Sequence, residues 1–127
     1  MNIINIAIIE RSPLGSSTIE AALKKANFNI VINTNTVGRF LNEAKEKLID
    51  APDVCLFDRT TKRSLVHKIR QRYPRIKIVV YDPIINPPNV EVLHPDNFDT
   101  YIPNSVKLEH WVAILQSIVS YNYLNHP

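Results

Sequence analysis

Two short runs of consecutive apolar residues constrain the fold of this 127-residue chain more than any other feature. They are "VCLF" at residues 54–57 and "IVV" at residues 78–80. A strand with one face in water alternates apolar and polar residues, whereas a strand covered on both faces by helices is apolar at nearly every position. The two runs therefore predict central strands of a parallel sheet that has helices on both sides.

The rest of the chain alternates between strand-like and helix-like stretches. Each of the first three strands precedes a segment whose apolar residues recur every three or four positions, the spacing of one helical face. Strand–helix–strand connections of this kind are right-handed crossovers between parallel strands. We therefore expect a single domain over residues 1–127, of the α/β class, with three layers and a doubly wound, five-stranded parallel sheet in the order 2-1-3-4-5. The predicted strands are residues 4–10, 28–33, 53–58, 76–82 and 100–103, and the predicted helices are residues 12–27, 36–50, 64–73 and 107–124.

The fourth connection departs from this alternation. The stretch from residue 83 to residue 99 contains Pro83, Pro87, Pro88 and Pro95. Proline removes a backbone donor and disfavours the helical conformation of the residue before it. We therefore expect an extended or irregular segment here instead of a full helix.

Three strands that would be neighbours in the sheet each end in an acidic residue. These residues are Glu10, Asp58 and Asp82. Ligands of open parallel sheets bind at the carboxyl ends of the strands, and carboxylate oxygens suit hard cations. The alternative is that these are ordinary polar strand ends, neutralised by Arg11 and Arg59.

Four stretches together resemble a known family. The stretches are "IIERSPLG", "PDVCLFD", "YPRIKIVVYD" and "DTYIPNSVKLEHWVAIL". They resemble the receiver domain of two-component response regulators, and most closely the receivers of LuxR-type regulators. The resemblance covers nearly the whole chain and implies a flavodoxin-like, CheY-like fold in which Asp58 stands at the position of the phosphoacceptor.

The chain differs from that family at the positions on which phosphotransfer depends. Arg11 replaces the second residue of the acidic pair, Tyr81 replaces a small hydroxyl residue and Asn104 replaces a lysine. The resemblance then implies an atypical receiver, or pseudo-receiver, in which Asp58 pairs with Arg11 first and Arg59 second and Mg²⁺ binds weakly or not at all. The alternative is a receiver that uses Asp58 in a phosphorelay. We expect no cofactor and no enzyme activity, since the sequence has no Gly-rich phosphate loop and no nucleophile elbow.

Positive charge is concentrated in one part of the chain. Eight of the fifteen Lys and Arg residues lie between Arg59 and Lys77, where there is no Asp or Glu. A basic surface of this kind can bind phosphate backbones, so nucleic acid or another polyanion is an alternative ligand. The competing interpretation is a solvated helix face. The predicted basic patch consists of Lys62, Arg63, Lys68, Arg70, Arg72, Arg75 and Lys77.

The closing helix carries more apolar surface than one narrow stripe. One face would hold Trp111, Val112, Leu115, Ile118 and Val119, and this surface is extended by Ile114, Tyr121 and Leu124. The face either packs on the sheet or forms a homodimer. We expect the chain to act through another signalling or regulatory protein.

The expected cellular location of the protein rests on three features that the sequence lacks. The N-terminal apolar run has no basic segment before it, no apolar run approaches the ~20 residues of a membrane helix, and the single cysteine, Cys55, cannot form an internal disulfide. A cytoplasmic protein without membrane contact is therefore expected.

Overall fold

Strands and helices alternate along the chain in the computed structural model, which describes residues 3–10, 13–82 and 98–125, except the side chains of 13, 14 and 120–125. No helix in these ranges is long and apolar enough to cross a bilayer. The elements are β1 (Asn5–Ile9), α1 (Pro13–Lys25), β2 (Asn29–Thr34), α2 (Val37–Lys45), β3 (Val54–Asp58), α3 (Arg63–Arg72), β4 (Lys77–Tyr81), β5 (Thr100–Ile102) and α4 (Leu108–Asn125).

The five strands form one parallel sheet in the order β2-β1-β3-β4-β5, which confirms the predicted topology. Ile9 lies opposite Phe57 in the β1–β3 pair, and Asp58 lies opposite Tyr81 in the β3–β4 pair. The carboxyl ends of β1, β3 and β4 are therefore level with one another. The predicted irregular segment at 83–99 lies outside the described residues, apart from its last two positions.

The sheet separates two hydrophobic clusters, and β3 contributes to both because its side chains alternate between faces. Val54 and Leu56 join the cluster on the α1 and α4 side. Cys55 and Phe57 join the cluster on the α2 and α3 side. All four residues are completely buried, as the apolar run predicts. Burial also raises the pKa of the Cys55 thiol, so this cysteine is a core residue and not a nucleophile.

The apolar face of α4 packs against the sheet. Trp111 and Leu115 are buried, and Val112, Ile114 and Ile118 are half-buried against the same cluster. The described part of the predicted surface is thus used inside the domain. The side chains of Tyr121 and Leu124 fall outside the described residues, so self-association through this helix remains a prediction.

Hydrogen bonds of Asp99 fix the start of the short strand β5 beside β4. The backbone N–H of Asp99 donates to the carbonyl of Ile78 at 2.8 Å, and the N–H of Ile78 donates to Asp99 Oδ2 at 2.8 Å. Arg70 Nη2 donates to the same carboxylate oxygen at 2.8 Å, and Arg70 Nη1 donates to the carbonyl of Ile76 at 2.5 Å. Arg70 therefore anchors α3 to the edge of the sheet.

We predict that Asp99→Ala lowers the free energy of unfolding by about 2 kcal/mol, because hydrogen bonds to a charged group contribute about 1.5–3 kcal/mol. Asp99→Asn should cost less, since its amide oxygen can still accept from Ile78. Urea unfolding measures both changes.

The matched control is Glu109→Ala. The Glu109 side chain is 71% exposed and its ion pair with His110 spans 4.0 Å. That substitution should change stability by less than about 0.5 kcal/mol. Equal losses in the Asp99 and Glu109 variants would contradict the anchoring role.

Candidate functional site

Three polar side chains meet at the carboxyl edge of the sheet, on the face covered by α1 and α4. They are Glu10 after β1, Asp58 at the end of β3 and Tyr81 at the end of β4. The strand register brings these side chains together. Asp58 pairs directly with Tyr81, and Glu10 follows the last β1 residue that pairs with β3. We call these three residues the rim triad.

The rim triad is buried although it lies at the end of the sheet. Glu10, Asp58 and Tyr81 are only 2%, 1% and 1% exposed. The Tyr81 hydroxyl donates to Glu10 Oε1 at 2.7 Å. The Tyr81 ring also packs at a tilt against the Trp111 ring, with centroids 5.1 Å apart. Tyr81 therefore connects the end of β1 with helix α4.

The Glu10 carboxyl is pressed against the first turn of α1. A Cβ atom placed on Gly15 would lie 2.7 Å from Glu10 Oε2, so a larger residue at this position would force the Glu10 carboxyl to shift. Burial raises the pKa of Glu10, and the nearby Asp58 charge raises it further. The hydrogen bond from Tyr81 and the N–H of Ser16 partly offset this rise.

Asp58 is held by the loop that follows β3. Its Oδ1 accepts from the backbone N–H of Thr60 at 2.8 Å and from the Thr60 hydroxyl. Burial of the Tyr81 hydroxyl, together with the neighbouring Glu10 and Asp58 charges, raises the pKa of Tyr81 well above its ordinary value. Tyr81 thus remains a hydrogen-bond donor at neutral pH.

Asp82 does not join Glu10 and Asp58, which corrects the expected row of three acids. Asp82 follows Tyr81, and successive side chains along a strand point to opposite faces. Its carboxylate instead accepts from the Tyr101 hydroxyl and, at 3.0 Å, from the backbone N–H of Asn104. Arg59 Nε lies 3.4 Å from Asp82 Oδ1.

Of the two arginines expected to pair with Asp58, the structure describes only Arg59. Arg11 lies outside the described residues, so its pairing stays a prediction. Arg59 forms its ion pair with Asp82, which replaces the expected pair with Asp58. Among the described residues, no group of three or more His, Cys, Asp or Glu is placed to hold a metal ion.

The predicted basic patch does not act as one unit. Arg70 is engaged with Asp99, and Lys77 is half-buried on β4. Arg63 and Lys68 are exposed but lie about 140° apart around the axis of α3, because each residue advances the helix by about 100°. The remaining exposed members are Lys62, Arg72 and Arg75.

Sequence reasoning missed a cavity of about 410 Å³ on the opposite face of the same sheet edge, between the N-terminal ends of α2 and α3. We call it the α2–α3 cavity. Its only sequence signal is the two polar stretches that precede these helices, "NTNT" and "RTTK". The lining residues are Ile9, Asn35, Thr36, Val37, Gly38, Thr60, Thr61, Lys62, Ser64 and Leu65.

We predict that Glu10→Gln stabilises the protein increasingly as pH rises. The folded-state pKa of Glu10 lies above its unfolded-state value, so the folded protein retains a proton that the unfolded chain releases. The stability from this group is complete below the unfolded-state pKa and is lost as pH rises through the folded-state pKa. Glutamine has no charge to bury and keeps an oxygen that can accept from Tyr81.

Urea unfolding from about pH 4 to about pH 8 measures this difference, with Glu109→Gln as the exposed control. Stability curves of the wild type and of Glu10→Gln that stay parallel over the whole range would show that Glu10 is not perturbed.

Comparisons with known proteins identify the fold of this chain. The chain matches no protein-family model and no curated protein. It is similar to the crystal structure of a CheY-like response regulator receiver domain protein from Methanospirillum hungatei JF-1, at 14% identity over 96% of this chain and 98% of that chain, with a TM-score of 0.74. A response regulator from Thermotoga maritima is 18% identical over 94% and 99% of the two chains, with a TM-score of 0.69.

A third similar structure is the isolated REC domain of RcsB from Salmonella enterica serovar Typhimurium, in the presence of the phosphomimetic BeF3⁻. It is 17% identical over 91% of this chain and 90% of that chain, with a TM-score of 0.68. The predicted fold class is confirmed: the chain has the CheY-like fold of response regulator receiver domains.

Proposed function

We propose that this chain is a pseudo-receiver: an interaction module with a receiver fold that serves signal transduction or transcriptional control without phosphorylation of Asp58. One observation carries the proposal. The Tyr81 hydroxyl is bonded to Glu10 at 2.7 Å, within a rim triad that is at most 2% exposed. A cation at the rim would need the Glu10 carboxyl as a ligand. One oxygen of this carboxyl instead accepts a hydrogen bond from the neutral Tyr81 hydroxyl.

The chemistry of phosphoryl transfer explains why this arrangement matters. Transfer to a carboxylate brings two anions together, so a site must supply cations that neutralise the developing charge. Here Arg59 is engaged by Asp82, and Asn104 contributes a backbone N–H to that same residue. A side-chain amide at residue 104 carries no charge that could replace a lysine.

The residues present also fit a magnesium ion poorly. Mg²⁺ requires a nearly octahedral set of oxygen ligands and gives up its water reluctantly. Tyr81 engages one oxygen of Glu10, and Thr60 donates twice to one oxygen of Asp58. A magnesium ion would have to share these two carboxylates with those donors, and the sequence offers Arg11 where the family has a further acid.

We infer that the output of such a module comes from docking another protein. The Tyr81–Trp111 ring contact couples the rim triad to α4, so a partner that binds near α4 would meet a surface whose position depends on the rim. We infer a signalling or regulatory protein as the partner, and we infer the relationship to LuxR-type receivers from the sequence resemblance alone.

Nucleic acid is the alternative ligand. RcsB, whose fold this chain shares, has been solved bound to promoter rprA and as two dimers bound to two parallel DNAs. For this chain, the observation that favours nucleic acid is the exposure of Lys62, Lys68 and Arg72 on α3 or at its start. Lys68 and Arg72 are four residues apart and lie on one face of α3, but Lys62 precedes the helix, so this basic face is small.

We predict that beryllofluoride with Mg²⁺ leaves the backbone amide spectrum of the protein essentially unchanged. Beryllofluoride imitates a phosphoryl group on an aspartate, so it needs the same metal and cationic partners as phosphorylation does. Two-dimensional amide NMR across a titration measures this, and the REC domain of RcsB, solved with the same reagent, is the positive control.

Large, saturable shifts at Asp58, Thr60 and Tyr81 would instead establish a phosphorylatable receiver. A variant that combines Arg11→Asp, Tyr81→Thr and Asn104→Lys tests the cause. It should gain a response to beryllofluoride if these three positions are what prevents it.

A further inference from the structure

We propose that the amino edge of the sheet, at the far end of the strands from the rim triad, binds an acidic segment of a partner protein. One apolar side chain of that segment would enter a pocket at this edge, and its carboxylates would pair with basic residues beside the pocket. This inference rests on the proposed docking role of the chain and names the surface and the class of partner. It does not depend on whether Asp58 accepts a phosphoryl group, because Asp58 lies at the other end of β3.

The pocket has a volume of about 410 Å³ and is separate from the α2–α3 cavity. We call it the amino-edge pocket, because it lies where β3 and β4 begin: Lys77, which lines it, pairs with Val54 at the start of the two strands. Much of its lining is apolar. Pro52 and Ile76 are buried, and Val119 of α4 is half-buried. A concave apolar site of this size accommodates a large apolar side chain.

Two cations border the amino-edge pocket. Arg75 is exposed and Lys77 is half-buried, and neither forms an ion pair with any residue that the structure describes. Asp53 is the one acid among the described lining residues, and its Oδ2 already accepts from the backbone N–H of Asn5 at 2.8 Å. The lining therefore carries net positive charge, which is complementary to an anionic occupant.

The positive charge continues from the pocket along α3. Arg72 lies over the ring of Tyr73, a lining residue of the pocket, with Cζ 5.0 Å from the ring centroid. Lys68 is exposed one helical turn earlier, on the same face as Arg72. We call Lys68 and Arg72 the basic ridge. Since the charge extends beyond the pocket, an extended segment with several carboxylates fits this surface better than a single small anion.

The lining also favours a protein segment over nucleic acid. Single strands bind to proteins through their phosphates and through bases that stack on aromatic rings. Tyr73 is the one aromatic residue among the described lining residues, and its ring is already in contact with Arg72 and with Phe40, 5.9 Å away between centroids. A stacked base would have to displace one of these contacts. An apolar side chain needs no such displacement, because proline and aliphatic side chains already form its site.

The test uses the full chain and a short synthetic peptide in which one leucine is flanked on both sides by aspartates and glutamates. Backbone amide NMR follows the titration. We expect saturable shifts at Arg75, Ile76, Lys77 and Val119, with a dissociation constant on the order of 100 µM.

A second peptide, with serine in place of the leucine, separates the apolar contact from the charge. It should bind about tenfold more weakly, because it has no apolar side chain to bury in the pocket. The ratio of the two dissociation constants should persist as salt is raised, since ions screen only the charged contacts.

Two double variants decide whether the amino-edge pocket is responsible. Arg75→Ala combined with Lys77→Met should weaken binding of the leucine peptide about tenfold, while methionine keeps an apolar stem at the half-buried position. The matched control is Lys62→Met combined with Arg63→Ala, which removes the same two charges at the other end of α3, where both side chains are exposed. It should change binding less than about twofold.

A short DNA duplex is the competing probe, and we expect it to bind this edge more weakly than the leucine peptide does. The inference is overturned if no saturable shifts appear at the four amides, if the leucine and serine peptides bind equally, if the two double variants weaken binding equally, or if the duplex binds this edge more tightly than the peptide. Each of these results leaves the rim untouched. The beryllofluoride titration tests the pseudo-receiver proposal separately, so the failure of one proposal is distinguishable from the failure of the other.

Discussion

The hydrogen bond between the Tyr81 hydroxyl and Glu10 is the interaction on which the rim of this protein depends. It joins the ends of β1 and β4 across β3, at the edge where proteins of this architecture place their ligands. A buried carboxyl is tolerated only with hydrogen-bond partners or a bound proton, because removal of its charge from water is costly. Tyr81 provides the partner, and burial raises the pKa of Glu10 towards the protonated form.

Several neighbouring features follow from this bond. The Glu10 carboxyl lies so close to α1 that a Cβ atom on residue 15 would force this carboxyl to shift. The Tyr81 ring extends to Trp111, so the same residue also determines how α4 lies on its face of the sheet. The first helix therefore contacts the rim through Glu10, and the last helix contacts it through Tyr81. A receiver with a small hydroxyl residue at position 81 would lack the ring contact with Trp111.

The sequence predicted the sheet and its layers because the period of the apolar residues is a strong signal. The runs at 54–57 and 78–80 could only be strands covered on both faces, and the structure confirms this. The prediction was wrong where a shift of one position along a strand moves a side chain to the other face of the sheet. The strand-end pattern predicts that Asp82 lies with Glu10 and Asp58. In the structure Tyr81 lies opposite Asp58, and the Asp82 carboxylate accepts a hydrogen bond from Tyr101 instead.

Two other features require three-dimensional contacts that no local pattern encodes. Arg70 differs from the exposed residues of α3 only because Asp99, far away in sequence, lies within 2.8 Å of it. The α2–α3 cavity exists because two helices from separate parts of the chain begin side by side. The polar stretches that precede them are visible in the sequence, but the distance between the helices is not.

The central claim, that Tyr81 closes the rim through Glu10, is tested most directly by the exchange of the Tyr81 hydroxyl proton with water in proton NMR. The account predicts one tyrosine hydroxyl resonance in slow exchange, absent in Tyr81→Phe, retained in Tyr101→Phe and shifted as Glu10 titrates. A Tyr81 hydroxyl that exchanges as fast as that of an exposed tyrosine would contradict the account, because the rim would then be open to water and to a phosphoryl donor.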